Sequence, residues 1–214
     1  HMVIVWGLFL AVIIPFIVNE FWQTTVDKEW PRLLAFSLLS GFAPFIIWVL
    51  LQGNSTGPPI NITGKLFDVG PFALLVSISV YSALWISKHD TRSTGRIFAL
   101  GLSALGLLLI MIPELLFVDD SFGSPSERMN TVFKLYYQAW IVLAAASGFI
   151  VYYWYELRSR LVGIKRLLIG LWAIMCIILM ASATYYPAAA ATSKGNLFNG
   201  TMTLDGLSHL PQGE

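Results

Sequence analysis

An acidic residue pushed back into an apolar run is the first place in this chain where chemistry could reside. In Pro113-Glu-Leu-Leu-Phe-Val-Asp-Asp120 the carboxyl of Glu114 has apolar neighbours, and Asp119 and Asp120 close the stretch. Insertion scales put an acid at the centre of a membrane helix at roughly 2.5–3.5 kcal/mol, less near the interface, so such a group faces protein or a wet cavity and has a partner. The bases that follow are Arg128 and Lys134, in Ser124-Pro-Ser-Glu-Arg-Met-Asn-Thr-Val-Phe-Lys-Leu-Tyr-Tyr-Gln138. Ser124, Pro125 and Glu127 form a capping-box start, which predicts a helix from near Pro125. On that helix Glu127, Asn130, Thr131, Lys134 and Gln138 make one polar stripe with Arg128 at its flank. A polar stripe entering a bilayer is expected to line the bundle interior.

Two chemistries suit this set. Glu114 and Asp119 could serve as general base or acid, and Asp119 and Asp120 could hold a divalent cation such as Mg or Mn. Arg128 and Lys134 could grip phosphate oxygens, one as a planar fork and the other as a point charge, with Asn130, Thr131 and Gln138 completing a substrate surface. Acid and base beside a membrane suit a lipid phosphate. The same groups could instead neutralise one another, Glu114 with Lys134 and Asp119 with Arg128, and merely join two helices. Spacing does not choose between these.

The elements that must position them are membrane spans. The 214 residues are 57% hydrophobic and 12% charged, against roughly 45–50% apolar and 25% charged in a soluble domain. Apolar residues gather into six runs of 16 to 24: Val3 to Val18, Leu33 to Leu51, Val69 to Ser87, Ile97 to Val118, Val132 to Tyr155 and Leu167 to Tyr186. A helix needs roughly 20 residues to cross the hydrocarbon core. The reading is an all-α polytopic transmembrane bundle of about six helices over 1–187, followed by a polar tail over 188–214. Breaker-rich stretches such as Gln52-Gly-Asn-Ser-Thr-Gly-Pro-Pro59 separate the runs.

Nine of the 13 Lys and Arg fall in loops one, three and five, and four (Lys65, Arg128, Lys134, Lys194) on the other side. Cytoplasmic loops collect basic residues, so loops two and four and the tail are expected outside a cell membrane. Aromatic residues at the run ends, Tyr136, Tyr137 and Trp140 among them, read as interface anchors. A net charge of +1 with scattered bases excludes a nucleic-acid surface. The lone Cys176 excludes an intrachain disulfide. His1-Met2 reads as a tag remnant, and no basic segment precedes the first apolar run, so the chain is expected to start inside a longer protein whose remainder is its partner.

Glu114 to Asp119, followed by Arg128-Met-Asn-Thr-Val-Phe-Lys-Leu-Tyr-Tyr-Gln-Ala-Trp140 and later by Thr203-Leu-Asp-Gly-Leu207, resembles the signature of the prokaryotic YYY membrane-protein family, in its C-terminal membrane part. The resemblance implies a relative of the C-type glycosyltransferases, enzymes that use a polyprenyl-phosphate-linked sugar at the outer face. The Tyr-Tyr-Tyr motif and the early Asp-containing loop of such proteins do not occur in this sequence; Tyr185-Tyr186 is not that motif. Two function classes follow: a membrane glycosyltransferase acting through the loop-four residues, or a non-enzymatic lipid or sugar carrier or assembly module in which the same ions are structural.

Overall fold

The structure, a computed structural model, describes residues 2–25, 28–53, 61–90, 93–118, 128–157 and 163–194. They form six helices: α1 (Met2–Trp22), α2 (Trp30–Gly53), α3 (Ile62–His89), α4 (Thr94–Leu115), α5 (Met129–Leu157) and α6 (Ile164–Lys194). Among the described residues there is no strand. Five helices, α2 to α6, are long and apolar enough to cross a membrane, and the corresponding stretch of α1, Trp6–Trp22, is shorter. The chain is a polytopic helical membrane protein.

Its residues divide into two compact units, Phe9–Leu161 and a second made of His1–Leu8 with Val162–Glu214. In the first, α3 packs on α2 and α4, α5 packs on α4, and α2 also touches α4. Aromatic edges attach α1: Phe9 meets Trp140 and Phe16 meets Tyr153 of α5 at ring-centroid distances of 5.5 and 5.7 Å. Phe21 meets Tyr81 of α3 in the same way. In the second unit, α6 follows Gly163, whose φ of 65° lies in the left-handed region that a side chain disfavours. The most apolar stretch of α6 contains no buried residue.

Without a hydrophobic gain between helices that already lie in lipid, close packing and hydrogen bonds hold a bundle together, and small residues permit close approach. The buried faces obey this. α3 buries Gly70, Ala73, Ser77, Ser79 and Ser82, and α4 buries Ala99, Ser103, Ala104 and Gly106. The buried hydroxyls are satisfied within their helices, Ser77 donating to the Ala73 carbonyl at 2.8 Å and Ser103 to that of Ala99 at 2.7 Å. Ser79 differs: its hydroxyl crosses to the Leu100 carbonyl of α4 at 2.8 Å. Ser79→Ala should therefore weaken the α3–α4 contact by about 0.6 kcal/mol, the typical worth of such a bond in a membrane protein. Unfolding of purified variants in mixed micelles would measure it, and an unchanged midpoint would show the bond to be idle.

Every helix differs from its expected run at both ends, most of them outward, with α3 starting at Ile62 rather than Val69. α4 stops at Leu115 rather than Val118, because Leu116 turns to an extended conformation, φ −131° and ψ 121°. α6 continues past the expected end of the membrane region, through the alanines, to Lys194. Alanine is the best helix former, so the first residues of the expected tail extend the helix.

Candidate functional site

At one end of the bundle the C-terminus of α4 meets the N-termini of α3 and α5. Glu114 occupies the last turn of α4, just after Pro113. Beyond it the chain runs extended, and the Val118 amide donates to the Thr131 hydroxyl at 3.2 Å, pinning this exit to the first turn of α5. Arg128 precedes α5, and its carbonyl accepts from the Val132 amide at 3.0 Å. Lys65 lies in the first turn of α3, a helix capped by Asn61, whose side chain accepts from the Gly64 amide at 2.8 Å.

Two donors and a further cation converge on the one carboxylate. Arg128 Nη1 donates to Glu114 Oε2 at 2.8 Å, Lys65 Nζ stands 3.8 Å from the same oxygen, and the Tyr136 hydroxyl donates to Oε1 at 3.2 Å. Arg128 and Tyr136 are two helical turns apart, which brings both to the side of α5 that faces α4. The side chains of Lys65 and Glu114 are 24% and 23% exposed and that of Arg128 47%, so water and small ligands reach the group. The carboxylate's hydrogen bond holds the Arg128 guanidinium above its ordinary range, and partial burial opposes this only in part. Packed around this end of α4 is an apolar cluster of Phe45, Trp48, Val69, Ala73, Met111 and Leu115, drawn from α2, α3 and α4. It ties together the helix ends that carry Lys65 and Glu114.

Of the alternative in which the groups neutralise one another, the Glu114–Lys134 pair is replaced by Glu114–Arg128, and the Arg128–Asp119 pair lies outside the described residues. The partner of Glu114 on the α5 side is Arg128. The interior reading of the polar stripe is also corrected: Asn130, Lys134 and Gln138 are exposed, and Thr131 is half-buried through its contact with Val118. The inward side of α5 is apolar, with Ala139, Leu143, Ala146 and Ile150 buried. Spacing places the polar residues on one face correctly, but the small and apolar face packs more closely on α4 and takes the interior. Asp119, Asp120 and Glu127, with the Ser124-Pro125 helix start, lie outside the described residues.

Sequence reasoning overlooked Lys65 and Tyr136. Tyr136 stands at helical spacing from Arg128 and could have been found on that ground, whereas nothing local to Lys65 points to a carboxylate 49 positions away. A second ionic group, at the other end of the bundle, was overlooked as well. Glu20 of α1 is fully buried and accepts from Arg96 of α4, at 2.8 Å from Nε and through a second bond from Nη2. Asn19, Ser93, Gln23 and Asp90 surround the pair. Nearby in the fold, Lys88 pairs with Glu29.

Among the described residues no three His, Cys, Asp or Glu side chains come together as a metal site. Asp119 and Asp120, the residues expected to hold a divalent cation, lie outside the described residues. The family model of an uncharacterized membrane protein (DUF2298) matches residues 1–143. No curated protein and no solved structure matches the chain.

Proposed function

We propose that this chain, which belongs to the uncharacterized membrane protein family DUF2298, forms part of a membrane glycosyltransferase of the C-type that uses a polyprenyl-phosphate-linked sugar at the outer face. The observation that carries the reading is the convergence of two cations, Lys65 of α3 and Arg128 before α5, on one oxygen of Glu114. The resemblance of Glu114 to Asp119 and of Arg128 to Trp140 to the YYY family signature supports the same reading.

In such a transfer an acceptor hydroxyl attacks the anomeric carbon, the bond from that carbon to the phosphate oxygen breaks, and the lipid phosphate leaves with the bonding electrons. Charge grows on the leaving oxygen, where a preorganised cation stabilises it most. Arg128 takes that role here, with the exposed Lys134 beside the headgroup layer and Asn130, Thr131 and Gln138 as polar contacts. Glu114 and Asp119 supply the acidic groups that accept the acceptor's proton. Basic residues concentrate on the opposite side, in loops one, three and five, which supports an outward site.

One observation favours a second reading, a carrier or assembly module without transfer: both oxygens of Glu114 are already engaged, as in a structural ion pair. Sugar transfer by the full-length protein from polyprenyl-phosphate donors separates the two. Arg128→Ala and Glu114→Gln should each lower transfer at least tenfold, the loss that one removed charged contact to a transition state typically brings. Two folded variants with undiminished transfer would rule out this site as the catalytic one.

A further inference from the structure

Lys65 and Arg128 reach the same oxygen of one carboxylate from two different helices, at 3.8 and 2.8 Å. Among the described residues Glu114 is the carboxylate within ion-pair distance of either, so one negative charge faces two positive ones. The other oxygen of Glu114 is held by Tyr136, which turns Oε2 toward both cations. All three charged side chains are partly exposed. Two cations meeting at one point lie within reach of the oxygens of a single phosphate.

We propose that Lys65 and Arg128 form a clamp for a phosphate monoester anion, with Glu114 as the positioning residue that holds the two cations together when no ligand is present. The proposal rests on the reading above for the source of the phosphate, a lipid carrier, and adds Lys65 of α3 to the groups that bind it. Arg128 presents a fork and Lys65 a point charge, complementary ways of meeting a tetrahedral dianion. Glu114 competes with the ligand for both cations. Its negative charge should therefore weaken anion binding, the reverse of what a ligand-contacting group would do.

The test is a titration of the full-length protein in phosphatidylcholine nanodiscs with polyprenyl monophosphate, with inorganic phosphate as competitor in a parallel arm. Lys65→Ala and Lys65→Met should each weaken binding about tenfold, the equivalent of 1.4 kcal/mol. Lys65→Arg should stay within about twofold of wild type, because it restores the charge. Glu114→Gln should bind more tightly than wild type, and Lys88→Ala, in the ion pair at the other end, should change nothing. Competition by inorganic phosphate at the lipid's own concentration would support the clamp with a soluble phosphate as its ligand. Failure to compete would support it with the lipid as the source. If Lys65→Ala and Lys65→Met bind as tightly as wild type, or if Glu114→Gln binds more weakly, the clamp is overturned. Phosphate binding without sugar transfer would defeat the glycosyltransferase reading alone, and transfer with a silent Lys65 would defeat the clamp alone.

Discussion

Arg96→Ala should destabilise the bundle by roughly 3–5 kcal/mol, the usual cost of leaving one member of a buried ion pair without its partner. Glu20 has no exposed surface, and the Arg96 side chain is 19% exposed, so water does little to replace the lost guanidinium. Arg96 also ties α4 to three other groups, through Ser93, Gln23 and Asp90. Among the described residues, its removal leaves the Asn19 amide, 3.2 Å from Oε1, as the donor to Glu20. Unfolding of purified Arg96→Ala in mixed micelles should show the loss directly. Combining Glu20→Leu with Arg96→Met should recover most of it, because an apolar pair of similar volume often matches a buried ion pair in stability. A single variant within about 1 kcal/mol of wild type would mean that the pair is solvated in the membrane-embedded protein.

Gly41→Ala should cost about 1–3 kcal/mol by overpacking, and clearly more than Gly106→Ala. A Cβ at Gly41 would stand 2.3 Å from the Ala73 carbonyl oxygen and 2.3 Å from the Ser77 hydroxyl, and one at Gly106 would stand 2.2 Å from Leu143 Cδ2. The distances are alike, but the obstacles are not. The carbonyl is backbone within α3 and Ser77 is hydrogen-bonded to it, so α2 itself must move away. At Gly106 the obstacles are Cδ2 and Cγ of Leu143, the latter at 2.6 Å, in a side chain that can shift by itself where a backbone carbonyl cannot. Thermal unfolding in detergent would rank the two, and an equal or inverted ranking would show that the α2–α3 contact is looser than the described geometry.

Much of this architecture is legible in the residue order. Each expected apolar run overlaps one helix, because the requirement that every backbone group in hydrocarbon be satisfied leaves a long apolar run little choice but a helix. The ends are less legible. Leu116, Phe117 and Val118 are apolar enough to prolong α4, yet Leu116 is extended and the Thr131 hydroxyl takes the Val118 amide. That is a contact between segments, which hydropathy does not register.

The site was legible in half. Glu114 announced itself by being an acid in an apolar run, and the cost of burying it required a cation. Which cation was open, since Arg128 and Lys134 lie six positions apart on one segment, and Lys65 was not in view at all. Length, hydropathy and the expense of a charge in hydrocarbon are properties of one segment at a time, so they suffice to mark the spans and to single out Glu114. The meeting of Lys65, Glu114, Arg128 and Tyr136, the burial of Glu20 against Arg96, and the outward face of Lys134 depend on how α1, α3, α4 and α5 are rotated against one another. That rotation follows from which small residues touch, a property of pairs of helices that no single stretch of residues contains.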